Sequence, residues 1–218
     1  NDDLSNLDVP AIAEFVKKEL QPALTGGLAD KITYWTLYDE PSSMYMSHIA
    51  TCTVCQAKFR TYLAGQGLTP QFFGKSSWDQ VVTSTNKGSQ AKEFYHTAMF
   101  RCQILVEVFK AGTRPLQEMI PNIPTTANFV EELSYSGNML FSGVDQFAMF
   151  EQEGLRLGWS GTWLPWTATL QLSGHVADLL RCAVDGHGTG KFGMYSMRGW
   201  GDKLYWDIAA KPVSLVGH

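Results

Sequence analysis

Ile32-Thr-Tyr-Trp-Thr-Leu-Tyr-Asp39-Glu40-Pro41 is the most strand-like run in the chain. Residues 31–38 are rich in β-branched and aromatic side chains and hold no Gly or Pro, the composition of a buried β-strand. The run ends in two carboxylates, Asp39 and Glu40. Pro41 and Ser42-Ser43 then supply the first turn and cap of a helix. A buried strand that ends in acids and feeds a helix is how a (β/α) barrel presents catalytic groups at its carboxyl face. The plainer alternative is a strand-to-helix turn whose acids favour the helix N-terminus. The stretch alone leaves both open.

Outward from it, the apolar spacing of Ile12, Phe15, Val16 and Leu20 predicts a helix over 8–24, capped by Asp8 and ended by Gly26-Gly27. A second helix is expected over about 43–64, then a long connection over 68–88 with a helical turn at 77–82. The longest helix, 89–112, carries the stripe Phe94, Ala98, Cys102, Leu105 and Phe109. Pro115 kinks its end and Pro121 stops it. Thr125–Phe129 reads as a second strand, 131–142 as a polar helix-like segment, and Val144–Phe150 as a third strand ending in Glu151-Gln152-Glu153. Residues 154–166, with Trp159, Trp163 and Trp166, read as a Gly-rich loop. A helix over 169–184, a fourth strand over 192–197 and a last helix over about 202–211 complete the chain, with no closing strand before His218.

Strands alternating with helices predict a parallel sheet covered by helices. The fold class expected is α/β: a partial (β/α)8 TIM barrel, roughly strands four to seven with flanking helices. Residues 1–218 would then form one domain, the carboxyl-side half of a barrel within a longer chain. A doubly wound open sheet competes, weakened by the lack of a G-x-G-x-x-G or P-loop.

Net charge is −4 and charged residues make up only 17% of 218, which argues against a nucleic-acid surface and against disorder. Aromatics reach 12%, with seven Trp, which suits a large core or stacking on sugar rings. No apolar run approaches the length of a membrane span, and no signal peptide is visible at Asn1. The four Cys, at 52, 55, 102 and 182, do not read as a disulfide scaffold.

Three constellations bear chemistry. Asp39-Glu40 could supply one carboxylate to a cleft, because alternation along a strand sends only one of two neighbours to each face. Glu151 or Glu153 could supply a second. About 5 Å between the pair would give a retaining glycosidase, a wider gap an inverting one. Cys52-x-x-Cys55, with His48 one helical turn before it, has zinc-ligand spacing, against the reading of a reduced pair near a helix start. Trp159, Trp163 and Trp166 form either a sugar platform or loop rings folded over the core. No H-E-x-x-H or G-x-S-x-G is present.

Asp39-Glu40-Pro41, then Cys52-Thr-Val-Cys55-Gln-Ala-Lys-Phe59-Arg60-Thr-Tyr62-Leu63, resembles clan A glycoside hydrolases, most closely the family 42 β-galactosidases. Thr125-Thr126-Ala-Asn128-Phe129 and the helix around Asp178-Leu-Leu-Arg181 extend the resemblance. It implies a retaining mechanism in a (β/α)8 barrel with Glu40 as general acid/base. The family's Asn before that Glu is Asp39 here. Where its strand-seven nucleophilic Glu belongs, this chain has Tyr195 or Ser196. Its Cys-rich zinc site carries over to Cys52 and Cys55.

The function expected is hydrolysis of O-glycosidic bonds. Glu40 and Glu151 are the catalytic candidates; Asp39, Asn128, Trp159, Trp163 and Tyr195 are the substrate contacts. No cofactor is required beyond a structural zinc at Cys52 and Cys55. Partners are a carbohydrate and the rest of the barrel or an oligomer partner covering the sheet edges, with no nucleic acid and no membrane span. The alternative is a non-catalytic carbohydrate-binding or scaffold protein on a degenerate barrel.

Overall fold

The computed structural model describes residues 9–41, 46–130, 142–162, 170–186, 191–196 and 214–217. Five parallel strands form one sheet in the order β1-β2-β3-β4-β5. They are β1 (Trp35–Asp39), β2 (Thr125–Val130), β3 (Gly158–Thr162), β4 (Phe192–Ser196) and β5 (Ser214–Gly217). Strands adjacent in sequence are adjacent in space, the arrangement that repeated strand–helix crossovers produce.

Helix α1 (Val9–Thr25) stops at Gly26-Gly27, where Gly27 takes φ +67°, a conformation that a Cβ would strain. Its Val16 and Leu20 pack on Leu116 of α4 (Ala91–Met119), on Ile120 just after it and on Trp35 of β1. The single helix expected over 43–64 is two, α2 (Met46–Thr51) and α3 (Thr53–Gly65). The break falls at Cys52, whose Sγ accepts the Cys55 N–H at 3.2 Å and so caps α3. In α4 the helix runs through Pro115 to Met119 and ends before Pro121.

Two helices follow: α5 (Gln146–Glu151) and α6 (Leu170–Asp185). The main core lies between them, α4 and the sheet. Leu105, Val106 and Phe109 meet Ala127 and Phe129 of β2, Met149 and Phe150 of α5, and Leu180, Ala183 and Val184 of α6. A second cluster, around Phe59, Leu63, Phe100 and Ile104, joins α2 and α3 to α4. Gln56 of α3 bonds the Ile49 and Ala50 carbonyls and both main chain and side chain of Thr83, pinning the connection before α4.

Three expectations are corrected. Residues 144–150 are not a strand. Asp145 caps α5, its carboxylate accepting the Ala148 N–H at 3.0 Å, and Gln146, Met149 and Phe150 are buried on a helical period. The third strand is instead Gly158–Thr162, within the segment expected to be a loop. Its glycines mask a strand: a Cβ at Gly158 would lie 2.7 Å from Val184 Cγ2 of α6. A further strand, β5, occupies the region expected to lack one. The segments expected to be helices over about 131–142 and 202–211 fall almost wholly outside the described residues. The strand expected to be buried, β1, is exposed at Thr36, Tyr38 and Asp39 and has one neighbour in the sheet, β2.

Candidate functional site

The sheet has two faces, and side-chain alternation separates them. Trp35, Leu37, Thr125, Ala127, Phe129, Gly158 and Phe192 face the helix layer. Thr126, Asn128, Trp159 and Gly193 therefore occupy the other face. That face is divided along the strands into a packed amino end and a polar carboxyl end.

At the amino end, Trp159 is 1% exposed. Its ring stacks on Tyr34, just before β1, with centroids 5.0 Å apart at an interplanar angle of 30°. Gly193, its register partner on β4, makes the room: a Cβ there would overlap the Trp159 ring. Trp159 is thus a buried strand residue in a floor, and not the loop-borne sugar platform expected of it. Trp163 and Trp166 lie outside the described residues.

At the carboxyl end, the ladder between β1 and β2 shifts. Trp35 and Thr36 oppose Thr125 and Thr126, but Tyr38 and Asp39 oppose Ala127 and Asn128. One extra residue in β1 turns Asp39 onto the Asn128 side. There its Oδ1 accepts an N–H of the Asn128 carboxamide at 2.7 Å. Glu40 follows, exposed, with its N–H donated to the Asn128 carbonyl at 2.9 Å. Its φ is +49°, in the left-handed region that a residue with a Cβ seldom enters. Asp39, Glu40 and Asn128 are therefore brought together at one strand-end corner.

Glu151 and Glu153 are not brought to that corner. Glu151 closes α5, and the chain then runs into the start of β3. On the way, the N–H groups of Arg156 and Leu157 both bond the carbonyl of Thr125, the first residue of β2. Thr113 of α4 ties the same level together, its hydroxyl bonded to Thr125 Oγ1 and to the Gly154 carbonyl. Both glutamates belong to the amino end of the sheet, a strand's length of about 15–20 Å from Glu40. The misplaced third strand had put them at the opposite end. Tyr195 and Ser196 are the last two residues of β4, opposite Gly161 and Thr162, so the strand closes on Ser196 with no acid in its last two positions.

A second cluster lies where α2 meets α3. One donor atom each from His48, Cys52 and Cys55 falls within 4.8 Å of the others, the only such grouping of three among the described residues. Cys55 is buried, Cys52 half-buried and His48 exposed. Two soft sulfurs and an imidazole fit zinc in donor type. His48, one helical turn before Cys52 in the sequence, is the third member of the trio.

No protein-family model and no curated protein matches the sequence. Solved structures do match the fold. A β-galactosidase from Bacillus circulans sp. alkalophilus superposes at TM-score 0.58 and 15% identity, over 76% of this chain and 28% of its own length. A GH42 β-galactosidase from G. stearothermophilus gives 0.56 and 17%, again over 76% and 28%. An agarase gives 0.58 and 10%, over 96% of this chain and 33% of its own. The parallel sheet and its helices accordingly resemble, in fold, a part of these glycosidases, and the chain spans only about 28% of the length of the β-galactosidases it matches. The Asp39–Glu40–Asn128 corner stands at the carboxyl end of this sheet, the end at which a (β/α) barrel carries its active site.

Proposed function

We propose that this chain is the carboxyl-side part of a glycoside hydrolase barrel in which Glu40 is the general acid. One observation carries the reading. Glu40 directly follows β1 at the carboxyl end of a parallel sheet similar in fold to glycosidases, in a left-handed backbone with its N–H bonded to the Asn128 carbonyl. Strain that the surroundings impose on a polar residue gathers at working sites. The acid protonates the glycosidic oxygen as the bond breaks, a contribution of about 10² to 10⁴-fold. Glu40→Gln keeps shape but cannot give that proton. Hydrolysis of substrates with poor leaving groups should fall by about 10² to 10⁴-fold, while activated aryl glycosides lose much less. A rate on the poor leaving group within about twofold of the unchanged protein would remove Glu40 from the role.

A second reading is favoured by the end of β4. Where a barrel glycosidase of the resembled family carries its nucleophile, this chain offers Tyr195 and Ser196. A sugar-binding protein that kept the barrel and lost turnover would bind saccharides saturably and hydrolyse none, even with activated aryl glycosides. In both readings the barrel closes through strands outside these five, either elsewhere in the same chain or in a partner, because open strand edges pair or aggregate. His48, Cys52 and Cys55 would hold a structural zinc, with a fourth ligand from outside the trio. Purified protein should then contain zinc, and Cys55→Ser should lose it; equal zinc in both would dismiss the pair.

A further inference from the structure

We propose that Asp39 and Asn128 position Glu40 and do not bind sugar, an inference that rests on the reading of Glu40 as the acid. Asn128 holds both members of the strand-end pair. Its carboxamide N–H is donated to the Asp39 carboxylate at 2.7 Å, and its main-chain carbonyl accepts the Glu40 N–H at 2.9 Å. The first bond exists because the register shift in β1 places Asp39, and not Tyr38, opposite Asn128. The same shift delivers Glu40 to the next position in the left-handed region, at φ +49°. A residue with a Cβ stays there only under constraint. Asn128 is 9% exposed and its Oδ1 is buried, so it presents little surface to a ligand. The Asp39 carboxylate is engaged by that amide at one oxygen.

The mechanical consequence concerns where the Glu40 carboxyl sits. Returning Glu40 from the left-handed region to extended backbone swings its Cα–Cβ bond, and the acid moves by ångströms. A misplacement of about 1 Å can cost about 10²-fold in rate. The Asp39–Asn128 bond thus acts on turnover through Glu40.

The test uses the full-length protein that carries this chain, with one aryl glycoside of poor leaving group and one activated. Asp39→Ala and Asn128→Ala should each lower kcat on the poor leaving group by at least about tenfold, with KM within about twofold, inside the range misplacement allows. The double variant should be no worse than the weaker single, as for two residues that act through one bond. Asp39→Asn still offers an oxygen to the Asn128 amide and should recover most of the loss. A rise in KM with kcat unchanged for Asp39→Ala would make Asp39 a sugar contact and overturn the proposal. So would equal losses for Asp39→Asn and Asp39→Ala.

A stability readout stands apart from activity. Glu40→Gly should melt higher than Glu40→Ala by roughly 2–4 °C, because glycine accepts the left-handed backbone. In an Asp39→Ala background, where the backbone can relax, that advantage should shrink. An undiminished advantage would overturn the clamp. If no glycoside is hydrolysed at all, the functional reading fails, and this cycle still decides the clamp.

Discussion

Two ends of one sheet face are built on opposite rules. At the amino end, Tyr34 and Trp159 stack, Gly193 yields its side-chain space, and the Trp159 ring is buried. At the carboxyl end, Asp39 and Glu40 are exposed, the ladder is irregular and the backbone is strained. The floor gains from close packing, and a packed interior tolerates few changes. The mouth gives up regularity to aim polar groups. The difference teaches where substitutions should cost stability and where they should cost turnover.

The floor should show the largest effect. Trp159→Ala empties a site that is 1% exposed and strips Tyr34 of its stacking partner. Removing a buried Trp typically costs about 3–5 kcal/mol. The unfolding free energy from urea titration should fall by about that amount, lowering the midpoint in proportion, or the protein should fail to fold. Glu40→Gln, in contrast, should move that midpoint little, because surface substitutions stay within about 0.5 kcal/mol. A mild Trp159→Ala would mean that the floor is loosely packed and that the contrast between the ends is false.

The helix layer sharpens the comparison through titration. Cys102 of α4 is 2% exposed, and burial, reinforced by the Asp145 carboxylate, pushes its thiol up to about 12. Between about pH 9 and about 12 the folded thiol keeps a proton that the unfolded chain releases. The native state then binds more protons, so its stability is full below about pH 9 and falls as pH rises toward 12. The slope from one such group is at most about 1.4 kcal/mol per pH unit. Tyr62, also raised by burial, adds to the same alkaline loss. Urea midpoints from pH 8 to 11 should fall less steeply for Cys102→Ala than for the unchanged chain. Parallel curves would mean that the thiol is wetter than its packing indicates.

How much of this was legible in the sequence differs between the two ends. β1, β2 and β4 announce themselves by β-branched and aromatic runs, and α4 by its stripe. The parallel order followed from their alternation with helices. β3 did not announce itself, because Gly158 and Gly161 resemble a loop, and only Val184 and the neighbouring helix explain why position 158 must lack a Cβ. Val144–Phe150 misled in the other direction. Its apolar run looks like a strand, yet Asp145 followed by Gln146, Met149 and Phe150 is a capped helical period, a signal that was present and outweighed. That one error carried Glu151 and Glu153 to the wrong end of the sheet. At the mouth, Asp39, Glu40 and Asn128 were all visible as residues. Their juxtaposition was not, because it depends on an inserted residue between Thr36 and Tyr38 that no composition reveals.

The smallest expected effect separates strain that serves a site from strain that does not. Two non-glycine residues have positive φ among the described residues, Glu40 at +49° and Glu153 at +59°. Glu153 is exposed and follows α5, in a turn where the Gly154 and Leu155 N–H groups return to the Met149 carbonyl. This is the left-handed helix end at which glycine is the usual residue. The left-handed backbone costs a side chain about 1–2 kcal/mol. Replacement by glycine removes that cost but loosens the unfolded chain by roughly 0.5–1 kcal/mol. Glu153→Gly should therefore stabilise by about 0.5–1 kcal/mol, a rise in Tm of roughly 1–4 °C at this chain length. Because Glu153 lies at the amino end, hydrolysis should be unaffected. Glu40→Gly should bring a similar gain in Tm and lose turnover of poor leaving groups. Loss of activity in Glu153→Gly would put that glutamate back among the catalytic candidates, and a Glu40→Gly protein as active as the unchanged one on poor leaving groups would remove Glu40 from the role of acid.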